Sequence, residues 1–458
     1  MQEPTTLREF EDVGHRKILA LAWPALIVLA ATPLYLLLDT AVVGRLGATS
    51  LAGLATGAVV LSTVTTQLTF LSYGTTARAA RYYGAGRTTD AVYEGIQASW
   101  IALGVGAVLA VGLFFFSPAI SLALSGDAEV AAEATSWLKV TSLSVIPALF
   151  IMAGNGWLRG LSNTRLPLYF TLAGVIPMAV TVPLAVRRWG LVGSAIANVA
   201  GELIIAACFL GALVFHWRKF GDHRSMRPNR RVIRTQLVMG RDLIARSLSF
   251  QAAFLSAAAV AGRIGAPALA AHQILLQLWN LVSLLLDSVA IAAQALVGAA
   301  LGAGSARAAR SVARQVLKFS LGASVLLAVI FGLGARAVPQ LFTADAPVLD
   351  QIGGPWWVFV SIIVVGGAVF ALDGVLLGAA DVAFLRNASI AAAVIGFIPL
   401  VWLSLAFDVG LIGVWAGLAA FMLIRFGAVL WRYRGDAWTS SADEREGEER
   451  HSQSLTGA

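Results

Sequence analysis

GRLGATSLA at residues 44–52 returns as GRIGAPALA at 262–270, and GAGRTTDA at 84–91 returns as GAGSARAA at 302–309. Both returns share an offset of roughly 218 residues, which random apolar composition seldom produces twice. A third pair keeps it: WLRGLSNTRLPL at 157–168 lies against LLGAADVAFLRN at 376–387, setting Gly160 on Gly378 and Asn163 on Asp381. WGLVGSAIA and VGLIGVWAG follow after a shift of about two residues. The chain reads as a tandem duplication.

The segments between these landmarks are apolar. Of 458 residues, 58% are hydrophobic and 13% charged, with a mean hydropathy of +0.79, well above the roughly 45–50% apolar content of a soluble domain. Apolar windows of about 20 residues, each long enough to cross a hydrocarbon core as a helix, fall near 17–44, 50–74, 91–116, 128–152, 164–186, 190–216, 240–262, 267–299, 312–334, 348–372, 384–406 and 410–433. The expected fold is an all-α integral membrane protein of about twelve transmembrane helices in two six-helix bundles. Because six is even, the second bundle enters the membrane in the same orientation as the first, so the halves are related by an axis near the membrane normal.

The expected organisation is a cytoplasmic segment over 1–16, a bundle over 17–216, a basic cytoplasmic linker over 217–239, a second bundle over 240–434 and a disordered polar tail over 435–458. The first apolar run is longer than a signal-peptide h-region and is expected to be retained. The formal charge of +8 sits between apolar segments, not on an aromatic-interleaved soluble face, so nucleic acid is not an expected partner. Arg78, Arg81, Arg87, Arg159, Arg165, Arg307, Arg310, Arg314 and the run from Arg218 to Arg241 share one side with both termini. The other side has only about five basic residues, which places both termini in the cytoplasm of a cell whose plasma membrane holds the chain. The lone Cys208 supports neither a disulfide nor a zinc site. The GAG pairs lack the Lys-Ser/Thr of a phosphate-binding loop and are turns; no enzyme, metal or cofactor is expected.

An ionised Asp at a helix centre costs on the order of 2.5–3.5 kcal/mol on insertion scales, so intramembrane acids face the protein interior or a wet cavity. Thr32, Tyr35 and Asp39 fall on one face of the first helix, which also carries Pro24 and Pro33. Each proline removes a backbone donor and favours a kink. A bendable helix bearing a titratable acid is a reasonable switch, since the ionised form seeks water and the neutral one does not. The sixth helix sets Ser194, Asn198 and Glu202 at i, i+4 and i+8, so that Asp39 and Glu202 are candidates to hold a shared proton or a dehydrated cation together with Asn198.

Other polar residues are cavity candidates. Helix two offers Thr56, Thr63 and Gln67, and helix five Thr171, Met178 and Thr181 around Pro177 and Pro183; of these Gln67, Met178 and Thr181 are favoured, together with Tyr35 of the first helix. The eighth helix shows Gln273, Gln277, Asn280, Asp287 and Gln294 along one stripe, and Gln277, Asn280 and Asp287 join the list. Lys139 either pairs with Glu133 or Glu202 or snorkels to an interface. His272 reads as a hydrogen-bonding helix residue more than as a titrating one. Asp373 and Asp381, flanking LLGAA, read as capping and loop-packing acids.

LDTAVVGRLG at 38–47, LDSVAIAAQALVG at 286–298, and the pair NGWLRGLSNTRLPL and LDGVLLGAADVAFLRN give the chain, over about residues 15–434, a pattern that resembles the multidrug and toxic compound extrusion (MATE) family and its DinF-like branch. The resemblance implies secondary active export of amphipathic, often cationic compounds by a monomer in the lipid bilayer, driven by protons or alternatively by sodium ions. It implies Asp39 as the proton site, Pro24 as the hinge, and an acid near Glu202 with an amide near Asn198; that acid is frequently Asp in the family and is Glu here. Two other functions make different demands on the sequence. A flippase of lipid-linked oligosaccharides calls for several intramembrane cations, and Lys139 and Arg246 are the chief ones visible. A membrane prenyltransferase calls for paired acidic motifs, and none occurs in the apolar segments.

Overall fold

The computed structural model describes residues 14–220 and 226–440, with no strand among them. Twelve helices are long and apolar enough to cross a membrane. They are α1 His15–Val43, α2 Ala48–Gly84, α3 Thr88–Ser125, α4 Ala128–Gly160, α5 Arg165–Trp189, α6 Leu191–Phe220, α7 Arg230–Ile264, α8 Ala266–Gly302, α9 Ala306–Leu333, α10 Ala346–Gly378, α11 Val382–Ala406 and α12 Leu411–Arg434. Every expected span is found, most of them extended beyond the apolar window because helical polar turns continue past the hydrocarbon. Some helices are interrupted: α2 is broken at Leu68 and Thr69, α4 passes through a 3₁₀ turn at Ser142–Ser144, and α11 through a π turn at Ala392–Phe397.

The backbone repeats as the sequence does. Left-handed or otherwise positive φ occurs at Gly47 and Gly265, Gly86 and Gly304, Ser162 and Ala380, and Gly190 and Gly410, the first three pairs at the offset of the sequence repeat and the last after its slip. The Gly86 and Gly304 turns close with the same two bonds: Gly86 N–H to Tyr83 O with Arg87 N–H to Tyr82 O, and Gly304 N–H to Leu301 O with Ser305 N–H to Ala300 O. Ser162 and Ala380 repeat that pattern at the ends of α4 and α10. All four are Schellman caps, which satisfy carbonyls that a helix end otherwise leaves unpaired.

The described residues form two compact units, Trp23–Gly240 and Arg241 onward together with the described residues before Trp23. Each unit therefore holds six spans, with the start of α1 counted in the second: His15 lies 5.9 Å from the ring of Phe319. Lipid supplies no hydrophobic drive between helices, so close van der Waals packing at small residues holds each unit together. In the second unit, a Cβ at Gly374 would lie 2.4 Å from the carbonyl of Ala290, so the backbones of α10 and α8 touch. Around them Trp279, Trp356, Phe359, Phe397, Trp415 and Phe421 form one buried aromatic cluster. In the first unit the indole of Trp157 occupies the space a side chain at Gly95 would need, at 2.7 Å.

The expected linker over 217–239 is largely structured. α6 runs to Phe220, α7 starts at Arg230, and the segment around them is fastened to α3. Gln97 Oε1 accepts from Asn229 N–H at 2.7 Å, its amide donates to Arg227 O at 3.1 Å, and Trp100 Nε1 donates to Met226 O at 2.8 Å. Gln236 Nε2 donates to Glu94 Oε2 at 2.7 Å. The polar groups of α3 thus supply partners that the basic composition of the segment did not reveal. The expected tail also begins later than Gly435, because Arg310 pairs with Asp436 at 2.5 Å and Trp438 stacks on Tyr433 at 5.9 Å. Residues 1–13 and 441–458, which make up most of the expected terminal segments, lie outside the described residues.

Ser162 and Ala380 carry a Cβ in the left-handed region, at a cost of about 1–2 kcal/mol each. Ala380→Gly and Ser162→Gly are expected to raise the thermal unfolding midpoint of the purified protein in detergent, and Gly304→Ala to lower it; a scanning thermal melt checks all three.

Candidate functional site

α1 is continuous through Pro24 and Pro33. The two prolines leave the carbonyls of Ala20 and Leu29 without their helical N–H donors, which softens the helix at those turns. Pro24 also lies beside the division between the two units, at Ala22 and Trp23. Beyond the second proline, Tyr35 and Asp39 are buried, whereas Thr32 is exposed. The acid is therefore inside the protein although it stands only four residues before the helix ends at Val43.

Its partner is Ser194 of α6, whose hydroxyl donates to Asp39 Oδ2 at 2.6 Å. Ser194 in turn accepts from Trp137 Nε1 of α4 at 3.2 Å. The indole is aimed there because α2 offers no side chain at Gly57, where a Cβ would lie 2.5 Å from the Trp137 ring. α5 and α6 pack equally closely: a Cβ at Gly193 would meet the Ala185 carbonyl at 2.1 Å, and one at Gly201 the sulfur of Met178 at 2.6 Å. Four helices thus fix one hydroxyl on one carboxylate. Asp39 Oδ1 and the Tyr35 hydroxyl are buried and have no hydrogen-bond partner.

Asn198 and Glu202 are half-buried on the same helix as Ser194, and no hydrogen bond joins either to Asp39. Successive spans run in opposite directions, so stepping back from Asp39 to Tyr35 and on from Ser194 to Glu202 moves the same way, by about 6 and 12 Å of helix rise. Tyr35 consequently lies within the electrostatic reach of Asp39 and Glu202 alike. Asp39 is therefore bonded to Ser194 and not to Glu202, with Tyr35 near both acids. Sequence reasoning put Ser194 on the correct face without assigning it the contact; Trp137 gave no signal, since an aromatic on an apolar helix is ordinary.

The cavity candidates separate. Met178 is packed against Gly201 between α5 and α6, and Thr181 Oγ1 donates to its own helix at Met178 O, 3.3 Å away. Thr56 and Thr63 likewise bond back to Ala52 and Val59. Gln67 ends the first segment of α2 and is half-buried. On α8, Gln273, Gln277 and Asn280 are exposed, Asp287 is half-buried and Gln294 is buried. Lys139 pairs with neither proposed acid; its ammonium lies 5.7 Å from the centre of the Phe114 ring. His272 is buried, but neither ring nitrogen has a partner, and its ring meets Trp415 edge-on at 6.0 Å. The expected hydrogen-bonding role is not realised, because the surrounding wall of Phe254, Ala257, Phe397 and Val414 is apolar.

Two of these wall residues are the repeat counterparts of the first unit's site: Ala257 stands where Asp39 does, and Val414, after the two-residue slip, where Ser194 does. In the second unit neither the acid nor its donor is present at the matching positions.

Buried cations are more numerous than the sequence suggested. Arg78 forks onto Glu94, Nε to Oε2 at 2.8 Å and Nη2 to Oε1 at 2.5 Å, and Arg159 is buried with Nη1 on the Ser72 hydroxyl at 3.3 Å. Arg246 and Arg425 both pair with Asp373. Asp373 is therefore neither a cap nor a loop acid, since it lies within α10 and is buried. Asp381 does stand at the start of α11, but its carboxylate caps nothing and takes Arg432 Nε at 2.5 Å. Of Arg78, Arg159, Arg246 and Arg425, Arg246 is the one already expected among the apolar segments, and Arg425 joins it there.

Removing the Ser194 hydroxyl leaves a buried carboxylate oxygen without its donor, at a cost of about 1–3 kcal/mol. Ser194→Ala is expected to lower stability by that amount, and Ser194→Thr, which keeps the hydroxyl, by markedly less; thermal melts of the purified variants at constant pH measure the difference.

Comparison with known proteins agrees with this architecture. The MatE family profile matches residues 24–184 and 243–403, one segment in each half. Among curated relatives, Protein DETOXIFICATION 44, chloroplastic, of Arabidopsis thaliana is 30% identical over 94% of this chain and 86% of its own length. DNA damage-inducible protein F of Escherichia coli strain K12 is 29% identical over 91% and 92%. Among solved structures, a MATE protein in a bent conformation superposes with a TM-score of 0.88, covering 96% of this chain and 100% of its own at 19% identity, a likeness of fold. With a profile covering both halves and relatives aligned nearly end to end, the chain belongs to the MatE family.

Proposed function

We propose that the protein is a secondary active antiporter, exporting amphipathic, chiefly cationic drugs or metabolites in exchange for protons by alternating access. The observation that carries this reading is Asp39: a buried acid on a proline-softened helix, held by one neutral hydroxyl and no cation, with its second oxygen unpartnered. Neutralising such a carboxylate changes what α1 needs from its surroundings far more than neutralising one already paired with arginine. Proton and substrate drive each other if each biases the same conformational equilibrium, and α1 is the proposed shared element. Glu202, with Asn198 beside it, is the proposed second station, reached through Tyr35. Pro24 and Pro33 are the proposed points of bending.

The names of relatives favour drug export. One from Bradyrhizobium diazoefficiens, 27% identical over 91% of this chain, is called "Probable multidrug resistance protein NorM". The proposed setting is the plasma membrane with both termini cytoplasmic. Gln67, Gln277, Asn280 and Asp287 remain proposed substrate contacts; the packed positions of Met178 and Thr181 make them helix-pairing residues first.

The deciding measurement is efflux from proteoliposomes under an imposed pH gradient. Wild type is expected to transport, with Asp39→Asn reduced at least about tenfold and Glu202→Gln reduced less. Undiminished efflux in both variants would sink proton coupling through this site, and a response of wild type to a sodium gradient alone would replace the proton by sodium.

A further inference from the structure

The second unit contains a buried surplus of positive charge. Arg246 of α7 and Arg425 of α12 converge on Asp373 of α10, and all three side chains are largely or wholly buried. Each guanidinium carries about five N–H donors. One from each is used, Nη2 in both cases, and both fall on the same atom, Asp373 Oδ2, at 2.5 Å for Arg246 and in a very short contact for Arg425. Asp373 Oδ1 and Arg246 Nε are buried with no partner. Among the described residues no second acid pairs with either arginine, so two cations share one anion.

A purely structural cluster is built differently, as the first unit demonstrates. There Glu94 uses both oxygens, accepting Arg78 in a fork and Gln236 beside it, so that charge and donors balance. At Asp373 neither balances. Aromatic rings lie beside both cations: Arg425 is 4.8 Å from the centre of Phe250 and 5.4 Å from that of Phe421, and Arg246 is 5.4 Å from Phe250. The guanidinium N–H groups not used on Asp373 are donors of the kind that match the oxygens of carboxylates and phosphates. A net cation withdrawn from water in a membrane protein calls for a counter-anion.

We infer that Arg246 and Arg425 form a binding site for an oxyanion, a carboxylate or phosphate carried by an amphipathic molecule, and that Asp373 occupies the two guanidiniums when that molecule is absent. On binding, the ligand's oxygens take the idle N–H groups and compete with Asp373 for Oδ2's position, while Phe250 and Phe421 meet the apolar body. This goes beyond the antiport proposal: it concerns the second unit and does not require that Asp39 couple transport to protons.

The test uses the full-length protein purified in detergent, with no ion gradient, so its outcome is independent of the efflux assay. The probe is 2-naphthoate, titrated calorimetrically beside its cationic counterpart 2-naphthylmethylammonium. Wild type is expected to bind the anion. Arg425→Gln and Arg246→Gln should weaken it at least about tenfold with the cation unaffected, and Asp373→Asn should tighten it about tenfold by removing the internal competitor. Should the glutamine variants fail to fold, Arg425→Lys and the opposite-signed effect of Asp373→Asn still decide. Displacement of naphthoate by phosphatidylglycerol but not phosphatidylcholine would make a lipid headgroup the natural occupant of the same site; no displacement by either lipid would leave a free amphipathic anion. The proposal is overturned if wild type binds neither naphthoate nor phosphatidylglycerol, or if naphthoate affinity is the same in wild type, Arg425→Lys and Asp373→Asn.

Discussion

A charge withdrawn into a membrane protein must be met by another group, and how each acid is met organises this molecule. Glu94 is met completely, by a forked arginine and an amide, and the result ties α2, α3 and the start of α7 into one unit. Asp373 is met in excess, by two arginines on one oxygen. Asp39 is met sparingly, by a serine hydroxyl backed by an indole. Full compensation makes scaffold; the two imbalances, of opposite sense, each leave a buried carboxylate oxygen without a partner.

The Asp39 contact follows from the small residues. Gly57, Gly193 and Gly201 let α2, α4, α5 and α6 approach until one hydroxyl can be held against one carboxylate, and Gly374 brings α10 equally close to α8. Without a hydrophobic drive between helices in lipid, such contacts supply both cohesion and aim. The prolines act in the opposite sense: they withdraw backbone donors from α1 while its side chains reach their partners.

Much of this was legible in the sequence. Apolar length fixed all twelve spans, and the repeats at 44 and 262 and at 84 and 302 marked turns whose backbone conformations do repeat. Asp39 stood out because a lone acid in an apolar run is costly wherever it points. What stayed hidden was pairing. Arg78 and Glu94 lie sixteen residues apart on different helices, Arg425 and Asp373 fifty-two, and periodicity within one helix says nothing about which neighbour faces it. For the same reason the sequence suggests a capping or loop role for Asp373 and does not show that the stretch before Gly240 has its partners in Glu94, Gln97 and Trp100, more than a hundred residues earlier.

The paired Schellman caps have a further meaning. The two halves share positive-φ turns at matching places, while Ala257 stands opposite Asp39 and Val414 opposite Ser194. The geometry of chain reversal and the chemistry of the acid thus reside in separate residues and are free to vary separately. A comparison of distant relatives keyed to the turns follows the architecture alone, whereas one keyed to the joint presence of an acid and its hydroxyl on α1 and α6 follows a feature that the architecture does not require.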